Sequence, residues 1–131
     1  MPLYTVALLR WETSLIGWKR KARSDVVLAD GSVIPAGRQI VALIGAANRD
    51  PAVFDDPDAI RPGRNVAGNA LHTFGIGPYV CVGSGLATLE LELSLRALRQ
   101  QFPGLRLAAG NGQRGYAPDC LFRMPRSVDV A

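Results

Sequence analysis

The stretch Phe74-Gly75-Ile76-Gly77-Pro78-Tyr79-Val80-Cys81-Val82-Gly83 constrains this chain more than any other. Gly75, Gly77 and Gly83 flank one cysteine, and glycine permits backbone angles and close approaches that a Cβ forbids. Beyond Gly83 the composition turns to Leu, Ala, Glu and Arg, which predicts a helix over 85–101. A cysteine just ahead of a helix N-terminus lies in the positive end of the helix dipole. That field favours the thiolate, the form that ligates metal. The plain alternative is a structural cysteine, because a free cysteine packs as a small hydrophobe.

The loop resembles the haem-ligand loop of the cytochrome P-450 family, F-G-x-G-x-[H/R]-x-C-x-G. Phe74, Gly75, Gly77, Cys81 and Gly83 match it, and Tyr79 stands where the family has His or Arg. The resemblance implies haem b as cofactor, with Cys81 as the iron ligand and Phe74 shielding the thiolate side. It also implies that Arg20, His72 and Tyr79 hold the haem propionates. A charged donor makes a hydrogen bond roughly twice as strong as a neutral one, so Tyr79 implies weakly held haem. The implied fold is α+β: the C-terminal part of the family fold, as one partial domain over 1–131. Its parts would be the end of the K helix, a small β-sheet, the meander, the cysteine loop, the L helix and a terminal β-hairpin.

Residues 3–12 read as a helix, with Pro2 suited to a first turn. In the family this is the K helix, with its E-x-x-R motif. Arg10 matches the arginine, but Ala7 stands where the glutamate belongs. Arg64 resembles the second arginine of that buried cluster. With no carboxylate between two like charges, the expectation is a looser and wetter region or another acid in compensation. Glu12 is the nearest acid in sequence, but at roughly 100° per residue it lies on the far side of the helix from Arg10.

Residues 18–45 read as strands. Asp30-Gly31 is a two-residue hairpin signal, and Pro35-Ala36-Gly37 a second turn. Gln39 to Ile44 is a near-continuous apolar run, which predicts a buried strand. The Lys19-Arg20-Lys21 run is read for its lysines as a solvated, charge-blunted edge. For Arg20 the propionate contact implied by the resemblance stands beside that reading. Asn48-Arg49-Asp50-Pro51 and the acidic 55–58 stretch predict a short helix and then a loop. The acids lack the glycine and distal glutamate of a calcium loop.

Leu89, Leu91, Leu93 and Leu95 alternate as in a strand, yet Leu86, Leu89, Leu93 and Ala97 form one helical stripe and Leu91, Leu95 and Leu98 another. Composition favours the helix, and two stripes predict burial on two faces. Phe102-Pro103-Gly104 ends it. Residues 105–131 resemble the family's terminal hairpin, with a glycine-rich turn at 110–115 and a structural Cys120.

The 131 residues carry a net charge of +4 with scattered basic residues and no aromatic-interleaved basic platform, which argues against nucleic acid. Two cysteines do not make a disulfide framework. No apolar run reaches membrane-spanning length and no signal-peptide pattern opens the chain, so a cytoplasmic setting is expected. The 14 glycines and 9 prolines predict many irregular segments. The likeness corresponds to the C-terminal third of a family member. The resemblance therefore implies that the distal acid–alcohol pair, which delivers protons to oxygen in the family, is not encoded in these residues. The resemblance implies a haem- and iron-binding relative of oxygen-dependent monooxygenases that is not active alone. It would need a second chain for the distal side or self-association, and an electron donor such as a ferredoxin. The alternative is a non-catalytic, haem-free shortened relative acting as a binding or accessory module.

Overall fold

The computed structural model describes residues 3–64, 71–109, 115–119 and 121–131. Cys120, most of the glycine-rich turn and the polar stretch at 65–70 lie outside the described residues. Helix α1 spans Leu3–Trp11. Four short strands follow, β1 (Trp18–Lys21), β2 (Val26–Val27), β3 (Val33–Ile34) and β4 (Gln39–Ala42), then helix α2 (Ile44–Ala47). A 3-10 turn at Gly77–Tyr79 precedes the long helix α3, Ser84–Gln101.

β1 and β4 pair antiparallel with Trp18 opposite Ala42 and Lys21 opposite Gln39. Nested inside, β2 and β3 form a second antiparallel pair. Both predicted turns are present. Gly31 and Gly37 hold φ of 83° and 81°, the left-handed region where glycine carries no Cβ penalty. Asp30 closes the first turn by accepting from the backbone N–H and the hydroxyl of Ser32.

Two burial expectations are corrected. The apolar run at 39–44 is not a buried strand: β4 is mostly exposed, and Ile44 opens α2 instead. Nor is α3 buried on two faces. Among its described residues only Thr88 is buried, while Leu86, Leu89, Leu93 and Leu98 stand exposed. The residue types are right for helix and strand. What they lack is a covering layer. Ala7, Ala22 and Phe54 are the buried apolar side chains among the described residues, so little apolar surface leaves water.

The centre of the fold is instead polar. Arg10, on α1, is only 2% exposed. Its guanidinium donates to the carbonyls of Asn48 (2.9 Å), Pro57 (2.7 Å) and Ala59 (2.8 Å). It also lies 5.1 Å from the ring centroid of buried Phe54. Among the described residues no compensating acid pairs with it. Three main-chain oxygens and an aromatic face take that role, with the more distant Asp58 the acid that favours its charge. Burial first, then the neighbouring Arg64 and Arg49, holds the Arg10 guanidinium below its usual range. Arg64 donates to the carbonyls of Asp55, Asp56 and Ala59, and its Nε is buried without a partner among the described residues. Glu12 faces away from Arg10, as expected, and pairs with Arg123 at 3.0 Å.

The C-terminal segment lies against the start of the sheet region. Leu15 bridges Phe122, Ile16 N–H donates to Leu121 O, and Arg123 N–H donates to Ser14 O. In the expected terminal hairpin the described residues pair antiparallel at Leu107–Val130 and Tyr116–Pro125, flanked by main-chain bonds between Arg106 and Ala131, Ala108 and Asp129, and Ala117 and Met124. Asp119 shapes the turn into this segment, its Oδ1 accepting from the N–H groups of Phe122 and Leu121 at 2.7 Å each. Those bonds hold the carboxyl below the usual carboxylate range.

A depressed folded pKa contributes stability that is present above the unfolded value of about 3.9 and is lost as pH falls through the folded value. The amide chemical shifts of Leu121 and Phe122 should therefore titrate together below about pH 4 as the turn is released. In Asp119→Ala that step should be absent, with both amides at their released positions throughout. A Leu121 or Phe122 amide that ignores acid in the native chain would contradict this.

Candidate functional site

The loop predicted to matter is built by local backbone chemistry. His72 O accepts from Gly75 N–H at 2.8 Å, which turns the chain at Thr73-Phe74. Phe74 O accepts from Cys81 N–H at 2.9 Å, which closes the loop on itself. Gly75 and Gly77 hold φ of 76° and 72°. Both need glycine for that reason. Gly83 does not: it is the N-cap of α3 with φ −84°, and a Cβ there would lie 3.8 Å from the Cys81 Sγ. That is ordinary contact distance, so Gly83 keeps a side chain from lying against the sulfur. Pro78 is the second residue of the 3-10 turn, and Ser84 N–H donates to Cys81 O at 3.2 Å. The loop hands over directly to α3.

Cys81 is a free, exposed thiol. It sits three residues ahead of the first residue of an 18-residue helix, so the positive end of the helix dipole lies at the loop. Tyr79 and Val82 project almost fully into solvent, with Val80 and Leu86 also exposed beside them. The exposed Cys81 sulfur ahead of a helix N-terminus, with exposed apolar residues close in sequence, is open to an iron-bearing ligand with a large apolar face. The residues present therefore fit haem. Phe74 is half-buried at the base of the loop.

The propionate candidates are dispersed. Tyr79 is on the loop. His72 lies at its root, where its main-chain N–H donates to Asn48 Oδ1 at 2.8 Å. Arg20 is on exposed β1, with its guanidinium 5.4 Å from the Trp18 ring and donating to Lys19 O. Those contacts are local to the strand.

A residue that sequence reasoning passed over is Asn48. It is fully buried. Besides taking Arg10 on its carbonyl, it donates from Nδ2 to Thr13 Oγ1 (2.8 Å) and Thr73 Oγ1 (2.9 Å). Thr73 in turn donates to Leu9 O at 2.8 Å. The segment read from sequence as a short helix from Asn48 begins earlier, at Ile44, and Asn48 is its C-cap. The available signal was an Asn directly after an apolar run, which normally reads as turn chemistry and nothing more.

The model of the family described as Cytochrome P450 matches residues 8–105. The 20-oxo-5-O-mycaminosyltylactone 23-monooxygenase of Streptomyces fradiae is 41% identical over 99 residues, 76% of this chain and 23% of that protein. The mycinamicin IV hydroxylase/epoxidase of Micromonospora griseorubida is 37% identical over 132 aligned positions, covering 99% of this chain and 32% of its own length. Among solved structures, the tirandamycin C-bound P450 monooxygenase TamI superposes with a TM-score of 0.88 at 31% identity, over 98% of this chain and 32% of that one. The chain thus spans about a quarter to a third of the length of the curated relatives it matches.

Gly75→Ala should strain the loop, because an L-residue at that φ costs roughly 1–2 kcal/mol. Its Cβ would meet nothing closer than 3.7 Å, so the strain is conformational and not a clash. The Cys81 amide, bonded to Phe74 O, should exchange faster with solvent in that variant, while Gly83→Ala, with ordinary φ, should leave it unchanged. Equal effects of the two variants would refute the distinction.

Proposed function

Because the chain belongs to the cytochrome P450 family, we propose that it is the haem-ligand segment of a haem-thiolate protein, with Cys81 as the iron ligand. The observation that carries this reading is the exposed Cys81 on a self-closed glycine loop at the mouth of α3. Phe74, Gly75, Gly77 and Gly83 shape the bed around the sulfur. Tyr79, His72 and Arg20 would hold the haem propionates. When bound, haem supplies an iron whose thiolate ligation favours O–O bond cleavage. The chain's own part is to present the thiolate, keep bulk away from it at Gly83, and hold the ligand's apolar face on Val80, Val82 and Leu86.

The reaction class is oxygen-dependent monooxygenation, by likeness to relatives that carry that name. The chain's leucine-rich α3 and the β4 strand are exposed, which fits a covering polypeptide that supplies the distal side, or a second copy. Electrons would come from a donor protein such as a ferredoxin. Among the described residues no helix is long and apolar enough to cross a membrane, and no cluster of His, Cys, Asp and Glu forms a separate metal site.

The test is a spectrum. The purified chain is loaded with hemin, stripped of excess, reduced and exposed to carbon monoxide. A strongly red-shifted Soret band is expected, and Cys81→Ser should abolish it. Tyr79→Arg should slow haem loss, because a charged donor replaces a neutral one at a propionate. A folded protein that retains no haem, or a band that survives Cys81→Ser, would overturn the assignment and leave a non-catalytic accessory module as the better reading.

A further inference from the structure

We propose that Asn48 is a positioning residue for the cysteine loop: its carboxamide fixes where the loop begins relative to α1, and so where the Cys81 sulfur is presented. The inference rests on the reading of Cys81 as the iron ligand and adds a residue outside the loop to that site.

The network has a defined direction. His72 N–H has only a proton to offer, so the Asn48 atom facing it must be the oxygen. The Nδ2 group then faces two hydroxyls, Thr13 and Thr73. Thr73 passes its own proton to Leu9 O and Thr13 passes its proton to Arg10 O, both on α1. From His72 the path continues through two main-chain bonds, His72 O to Gly75 N–H and Phe74 O to Cys81 N–H. The path from α1 to the sulfur-bearing residue thus alternates hydrogen bonds with short stretches of main chain, through His72 and from Gly75 back to Phe74. Asn48 supplies two donors and the acceptor for His72 at the root of the loop.

The residue type follows from the chemistry. Asp keeps the acceptor for His72 but lacks the two donors, and a hydroxyl side chain has too few donors to serve both threonines. A buried amide left without partners loses its hydration with nothing in return, so the network is stable only when complete.

The test is amide hydrogen exchange on the haem-free chain, which does not depend on whether haem binds. In Asn48→Ala the amides of His72, Gly75 and Cys81 should exchange about tenfold faster or more, the change expected from losing one buried hydrogen bond. Asn48→Asp should restore His72 protection in large part, because its oxygen still accepts. Phe54→Leu serves as a stability control, since the buried Phe54 ring faces the Arg10 guanidinium. In hemin-loaded protein, Asn48→Ala should lower the fraction of the red-shifted carbon monoxide band, and Phe54→Leu should not. Uniform acceleration along the chain, equal to that in Phe54→Leu, would overturn the proposal. Should Asn48→Ala fail to fold, Thr73→Val decides: selective acceleration at His72 and Gly75 supports the assignment, and unchanged rates there overturn it.

Discussion

The structure depends on one buried guanidinium. Arg10 brings a full positive charge into the interior and meets three main-chain carbonyls and the face of Phe54. Taking a charge out of water costs several kcal/mol unless it is well hydrogen-bonded. The carbonyls of Asn48, Pro57 and Ala59 are therefore drawn around it, and the irregular 48–59 segment takes its path from that demand. Arg49 repeats the pattern at the rim, stacking on Trp11, donating to Trp11 O and pairing with Asp58. An irregular loop thus gains a fixed shape without regular backbone pairing.

Asn48 links this charged centre to the cysteine loop. Its main chain belongs to the Arg10 cluster and its side chain to the root of the loop. The loop itself needs little more, because two glycines in the left-handed region and two main-chain bonds set its path. The division is economical: a polar network places the loop, and the glycines shape it. Apolar packing has a small share among the described residues, and large side chains on α3 and β4 remain in contact with solvent.

Much of the site was legible from residue types at fixed spacing. The loop from Phe74 to Gly83 was found because glycine and proline encode backbone angles directly, and the turns at Gly31 and Gly37 for the same reason. Helix α3 was found despite the alternating leucines, since its composition outweighs the alternation. Burial was not legible. Apolar periodicity says which face of α3 or β4 would be covered, but coverage is supplied by other segments, and only the structure shows whether they are there. The gap left at Ala7 was visible in sequence as well. The remedy was not, because main-chain carbonyls are the same in every residue and carry no signal.

The sequence by itself determined the family, the cysteine and the local backbone of its loop, because each is written in side-chain identity at short range. Tertiary structure alone decided what neutralises Arg10, that Arg20 stacks on Trp18 within its own strand, and that Asn48 stands between α1 and the cysteine. Those outcomes join groups that are far apart in the chain, such as Asn48 with Thr13 and Thr73. Folding brings them within hydrogen-bonding reach, and no local preference of either partner records that they will meet.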